Sequence, residues 1–178
     1  MTRIATPAID TATGATAEVY AQIKKAAGAV PNTFAVIGAH GPAALKAVLA
    51  VDGALAAGSL SKQDQETIKL LVSEVAGCDY CVAAHTMLGK MTGLSRETMK
   101  QIRTFKPTGD AKRDALVRFV RILQQTSGTI LLSEFDAIKQ AGYSDQQIVD
   151  ISLAIAVTVF TNVFNRINDT AVDFPAAD

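Results

Sequence analysis

The stops in this chain, more than its apolar residues, limit what it can fold into. From Thr13 onward apolar residues recur at helical spacing, and each run is cut after a few turns by glycine, proline or a capping serine. Thr13 to Ala27 is amphipathic and stops at Gly28, and Val30-Pro31-Asn32 reads as a turn. Phe34 to His40 is short and apolar, ended by Gly41-Pro42, and Ala43 to Ala57 ends at Gly58. Ser61 caps the next helix, with Asp64 where a capping box has Glu or Gln. That helix runs to Gly77 with Ile68, Leu71, Val72 and Val75 on one face. Cys78 to Met91 follows, closed by Gly93. Ser95 opens a short helix through Phe105, broken by Lys106-Pro107-Thr108-Gly109. Asp110 to Thr126 carries Leu116, Phe119, Val120 and Leu123 at helical spacing, and Ser133 to Ala141 ends at Gly142. Ser144 and Gln147 form a capping box that opens a long helix from Asp145 to about Thr170.

No segment alternates as a strand does, and Thr129 to Leu132 is too short to found a sheet. Linkers of a few residues predict antiparallel neighbours in one all-α domain, residues 1–178, of about seven to eight helices. A chain of 178 residues, 49% hydrophobic, can bury a sizeable core. Lys and Arg total 17 against 17 Asp and Glu, so no bulk charge draws the chain to nucleic acid or an anionic membrane. Residues 1–28 contain no long apolar run and do not read as a signal peptide. Ile148 to Phe164 is broken by Asp150, Ser152, Thr158, Thr161 and Asn162, which reads as a buried helix rather than a bilayer span. The expected location is the cytoplasm, in soluble form. In that reducing setting a close Cys pair points to redox or metal chemistry rather than a structural staple.

Such a pair exists, Cys78 and Cys81, the two cysteines of the chain. Residues i and i+3 on a helix have Cβ atoms roughly 5–6 Å apart. A disulfide needs roughly 3.5–4.5 Å, so a small adjustment of a first turn lets the pair cycle between dithiol and disulfide. If Gly77 ends the preceding helix, Cys78 starts the next, where free N–H groups favour a thiolate. His85 lies one turn beyond Cys81 on the same face and can take its proton or stabilise its thiolate. Cys78 is roughly 10 Å from His85 along the axis, out of direct reach. Glu66 would be roughly 18 Å from Cys78 on one continuous helix. If the chain reverses at Gly77, Glu66, eleven residues before it, and His85, eight after it, become nearly level. A carboxylate there would orient the imidazole.

Other readings of these residues stay open. Cys78, Cys81 and His85 could be three zinc ligands, with Glu66 the fourth, or the cysteines could be buried and inert. Tyr80 reads as packing or a pocket wall, Glu74 as an exposed helix acid and His40 as a helix-end residue. Asp150, Asn162, Asn165 and Arg166 suit a buried hydrogen-bond network or a subunit interface. Asp150, Asn162, Asn165 and Asp169 repeat the spacing of Glu66, Cys78, Cys81 and His85, a weak hint of duplication.

Glu66, then Gly77-Cys78-Asp79-Tyr80-Cys81, then His85 resembles the alkylhydroperoxidase AhpD-like branch of the carboxymuconolactone decarboxylase family. The resemblance is specific over roughly Asp64 to Met91. Val30-Pro31-Asn32-Thr33-Phe34 and Asn162-Val163-Phe164-Asn165-Arg166-Ile167 support it. It implies an AhpD-like helical bundle with its redox core at about 61–92, assembled as a homo-oligomer, a trimer or hexamer. It implies an antioxidant oxidoreductase, a peroxidase with no cofactor or metal. Cys81 would attack a small hydroperoxide and become a sulfenic acid, and Cys78 would resolve it to a redox-active disulfide. A thiol reductant, a thioredoxin-like or lipoyl-type protein, would restore the dithiol, entering at the more exposed Cys78. Glu66 and His85 would relay protons. Well-known members carry a histidine directly before the second cysteine; here Tyr80 stands there, which puts the strength of peroxidase activity in doubt. The decarboxylase branch lacks the Cys pair. The competing functions are a disulfide oxidoreductase or redox sensor without peroxide turnover, a zinc-stabilised structural module, and a binding protein with relic cysteines.

Overall fold

The computed structural model describes residues 2–177, and among these the secondary structure is helical with no strand. After a 3-10 turn at Ile9–Thr11 come α1 (Gly14–Ala27), α2 (Asn32–His40), α3 (Pro42–Ala57), α4 (Lys62–Ala76) and α5 (Asp79–Met91). α6 (Arg96–Arg103), α7 (Ala111–Thr126), α8 (Leu132–Gln140) and α9 (Asp145–Asn168) follow. That is nine α-helices among the described residues, more than the seven to eight expected. The short α2 does not merge into α3, because Pro42 lacks an N–H and restricts Gly41 before it.

The caps act as their residue types predict. Ser61, Ser95 and Ser144 accept hydrogen bonds from the backbone N–H of Asp64, Thr98 and Gln147, and Asp110 accepts from Lys112 and Arg113. Each such cap is worth about 1 kcal/mol. The reciprocal half of the capping box forms at Ser144, where Gln147 accepts from the Ser144 N–H. α6 ends before Phe105, which takes a left-handed φ of 57°. His40 ends α2, its Nε2 2.8 Å from the carbonyl of Ala5.

α4 is the central helix, packed on α5, α7 and α9. Ile68, Leu70, Leu71 and Val72 are all fully buried, and Val75, expected on the buried face, is 42% exposed. The expected stripe fails because α4 is surrounded on nearly all sides until its last turn. Burying each such aliphatic side chain contributes about 1.5–3 kcal/mol. Glu74, expected to be an exposed helix acid, is half-buried and pairs with Arg103 at 2.6 Å.

α4 and α9 run parallel, in a register set by polar contacts. Ser59 donates from its N–H and hydroxyl to Asp150, both at 2.9 Å. Ser73 donates to Asn162 Oδ1 at 3.2 Å, the Asn162 amide donates to the Val72 carbonyl, and Arg166 donates to that of Ala76. The weak internal repeat is not a structural one, since α9 continues straight where α4 stops and reverses. α9 has the length and composition of a bilayer-crossing helix, with 22% of its apolar window buried. It is therefore not the fully buried helix expected. Its inward face carries Ile151, Ala154, Thr158, Asn162, Asn165 and Asn168, and its outer face exposes Val149, Val159, Phe160, Val163 and Ile167.

Candidate active site

The reversal at Gly77 organises the site. Gly77 adopts φ 63° and ψ 40°, the left-handed conformation that glycine enters without Cβ strain. Its N–H donates to the Glu74 carbonyl at 3.0 Å, and the Cys78 N–H donates to that of Ser73 at 3.1 Å. This Schellman pattern ends α4 and turns the chain back along it. Cys78 becomes the N-cap of α5, its sulfur accepting from the Cys81 N–H at 3.3 Å. The Cys78 and Cys81 sulfurs lie at disulfide-bonding distance, with Cα atoms 5.3 Å apart.

α5 then runs back beside α4 and carries His85 level with Glu66. Nδ1 of His85 lies 2.9 Å from Oε2 of Glu66, and the two side chains are 14% and 11% exposed. With the Nδ1 proton committed to the carboxylate, Nε2 is the ring nitrogen left to exchange a proton. Among the described residues no group of three or more His, Cys, Asp or Glu side chains is arranged to hold a metal ion.

A cavity of about 370 Å³ opens against this arrangement. Cys81, His85 and Tyr80 line it, together with apolar groups such as Phe34, Val48, Met87 and Val157. Glu66 stands behind His85, and Cys78 is not part of the wall. Cys78 and Cys81 are 2% and 3% exposed, so the expectation of a more exposed Cys78 is corrected. The cause is the segment after α9. Phe174 packs edge-on to Tyr80 at 5.3 Å between centroids and joins both cysteines in one apolar cluster. Asp173 accepts from the Asn32 N–H at 2.8 Å and fixes this segment to the start of α2. Burial pushes the Tyr80 phenol well above the usual tyrosine range.

Several contacts of the wall escaped the sequence reading. Thr33 donates from its N–H to the Tyr80 hydroxyl at 3.2 Å and from its own hydroxyl to Asn165 Oδ1 at 2.7 Å. The Asn165 amide donates to the Cys81 sulfur at 3.3 Å. Lys69 and Asp52, which also line the cavity, pair at 2.8 Å. The sequence marked Asn165 as a polar group on an apolar helix suited to a buried hydrogen-bond network, and the structure places it in one; its contact with Cys81 was not foreseen.

A sequence model of the carboxymuconolactone decarboxylase family matches residues 42–106, the stretch from α3 to just past α6. No curated protein matches the chain significantly. Among solved structures, an uncharacterized peroxidase-related protein from Ralstonia eutropha JMP134, described as an alkylhydroperoxidase AhpD core, superposes with a TM-score of 0.86 at 22% identity, covering 97% of this chain and 92% of that one. An uncharacterized peroxidase-related protein from Silicibacter sp. TM1040 gives 0.79 at 21% identity, over 96% and 91% of the two chains. The debrominase Bmp8 gives 0.77 at 20% identity, over 94% and 91%. The central segment, residues 42–106, is thus similar to the carboxymuconolactone decarboxylase family, and the chain has the fold of the AhpD-core structure.

Proposed function

We propose that this protein is a thiol-dependent peroxidase that reduces small hydroperoxides through a Cys78/Cys81 dithiol–disulfide cycle. The observation that carries this reading is the Glu66–His85 pair at 2.9 Å beside a cavity whose wall includes Cys81. A nucleophile and a base on the cavity wall, with an orienting carboxylate behind the base, form the set that thiol chemistry uses. In the cycle the Cys81 thiolate attacks the distal peroxide oxygen and the O–O bond breaks. The departing alkoxide takes a proton from the His85 relay and leaves as alcohol, and Cys81 becomes a sulfenic acid. The Cys78 thiolate displaces the oxygen as water, after protonation, and the disulfide forms. An external dithiol, a thioredoxin-like or lipoyl-type protein, returns two electrons and two protons. A reducing cytoplasm would supply that donor. The outer face of α9, with Val159, Phe160, Val163 and Ile167 exposed, suits self-assembly into a trimer or hexamer.

A second reading has a specific support. A cysteine-to-alanine variant of the debrominase Bmp8, a fold neighbour at 19% identity and TM-score 0.76, was solved in complex with 2,3,4-tribromopyrrole. A thiolate can attack an electrophilic bromine as it attacks a peroxide oxygen. Carbon takes a proton, Cys81 carries the bromine, and Cys78 releases bromide as the disulfide closes.

Steady-state consumption of cumene hydroperoxide with a dithiol donor tests the main reading. Cys81→Ser should abolish turnover, and Cys78→Ser should stop it after one equivalent. A Cys81→Ser variant that keeps the wild-type rate rules the peroxidase cycle out. Bromide release from a bromopyrrole without peroxide turnover selects the second reading.

A further inference from the structure

We propose that Asn165 is a catalytic residue, its side-chain amide donating to the Cys81 sulfur and holding it as the attacking thiolate. The proposal rests on the reading of Cys81 as the nucleophile. Asn165 sits on the inward face of α9, 4% exposed, with Nδ2 3.3 Å from Cys81 Sγ. An Asn side chain can present either its oxygen or its NH2 to a neighbour, so what fixes its orientation matters. Here Thr33, itself 3% exposed, donates its hydroxyl proton to Asn165 Oδ1 at 2.7 Å and leaves the NH2 facing the sulfur. The opposite orientation would set a carbonyl oxygen against a sulfur that carries negative charge.

Thr33 in turn is held on its backbone side. Its N–H donates to the Tyr80 hydroxyl at 3.2 Å, so one residue of α2 pins both Tyr80 and Asn165. A hydrogen bond to an ionised group in a site shielded from water is among the strong ones. In the structure the acceptor is the Cys81 sulfur at disulfide distance from Cys78; in the reduced protein the same amide meets the charged form of that sulfur and so favours thiolate over thiol. The same N–H can follow the charge onto the sulfenate oxygen after the peroxide bond breaks. Tyr80, directly before Cys81, is a buried and neutral phenol. Asn165, approaching from α9, supplies from another direction the polar donor that Tyr80 does not.

The ionisable groups around Cys81 are Cys78 and Tyr80 in its own cluster, His85 of α5 with Glu66 of α4, Lys69 of α4 with Asp52 of α3, and Asp173 after α9. All are kept in the variants below, so their influence is common to every protein compared.

The test is the pH dependence of Cys81 alkylation by iodoacetamide in the reduced protein, followed by mass spectrometry of the Cys81 peptide. Asn165→Ala should raise the Cys81 thiol pKa by about one unit and slow its reaction with cumene hydroperoxide at neutral pH about tenfold. Thr33→Val, which frees the Asn165 amide to turn, should move both readouts the same way by less. Thr33→Ser, which keeps the hydroxyl, should restore them. A folded Asn165→Ala with the wild-type thiol pKa overturns the proposal. If Asn165→Ala does not fold, Thr33→Val decides: a wild-type pKa in it overturns the proposal, and a raised pKa that Thr33→Ser restores supports it. The alkylation profile needs no peroxide. A shifted pKa in a protein without hydroperoxide turnover therefore keeps Asn165 as the thiolate's donor and discards only the peroxide.

Discussion

Glu66 and His85 meet at 2.9 Å although nineteen residues separate them in sequence. They meet because α4 and α5 lie antiparallel across a single glycine, which brings a residue from the first turns of α4 beside one from the middle of α5. The contact joins a carboxylate to an imidazole at the edge of the cavity that receives Cys81, which defines what each should do when removed.

His85→Asn deletes the proton-exchanging ring nitrogen and should lower kcat/KM for a hydroperoxide by about 10²–10⁴. Glu66→Gln still offers an oxygen to the Nδ1 proton and loses only the charge, so its loss should be smaller, about tenfold to a hundredfold. Steady-state kinetics on both variants check the order. A Glu66→Gln defect larger than that of His85→Asn would mean that Glu66 acts on the substrate directly.

Phe174→Ala should open the disulfide to reductant. The ring covers Tyr80 edge-on and shares a cluster with cysteines that are 2% and 3% exposed. An aromatic pair of this kind is worth about 0.5–1.5 kcal/mol, so removing it should speed disulfide reduction by a small dithiol about two- to tenfold. The rate of thiol release from oxidised protein measures this. A slower rate than wild type would show that Phe174 guides the reductant rather than screening the disulfide from it.

What the sequence disclosed follows the range of the forces involved. Helix ends were legible because a capping Ser or a stopping Gly acts on its own turn, as at Ser144 and Gly77. The Glu66–His85 pair was legible because a single local signal, the glycine, sets the reversal. The Thr33–Asn165 and Asn165–Cys81 contacts span 132 and 84 residues, and no local pattern encodes the parallel register of α9 on α4 that makes them. Val75 was misread for a related reason. One-sided burial assumes a surface helix, and α4 is enclosed by neighbours that come from both halves of the chain.

Tyr80 should stay protonated well past the range where exposed tyrosines ionise. Burial is the largest cause of its raised pKa, Tyr143 behaves alike, and near pH 10 the unfolded chain loses these protons first. The unfolded state then binds fewer protons than the folded state, so stability is fully present below pH 10 and falls as pH rises above it. The slope is up to about 1.4 kcal/mol per pH unit for each tyrosine. Denaturant melts between pH 8 and 11 read it, and Tyr80→Phe should flatten the decline. A Tyr80→Phe profile as steep as that of wild type would assign the decline to other groups.

Gly77→Ala isolates the cost of the reversal from its function. A Cβ built at Gly77 meets nothing within 4 Å, so the substitution adds no clash and leaves only the strain of a left-handed backbone. That strain costs roughly 1–2 kcal/mol. In a chain of 178 residues it should lower Tm by roughly 2–8 °C. Because the altered backbone still has room to hold its native path, Glu66 should still reach His85, and kcat/KM should stay within about threefold of wild type. Gly77→Asn, whose side chain tolerates this conformation, should recover part of the Tm. A fully stable Gly77→Ala with lost activity would mean that the chain relaxes out of the left-handed conformation and draws α5, with His85, away from Glu66.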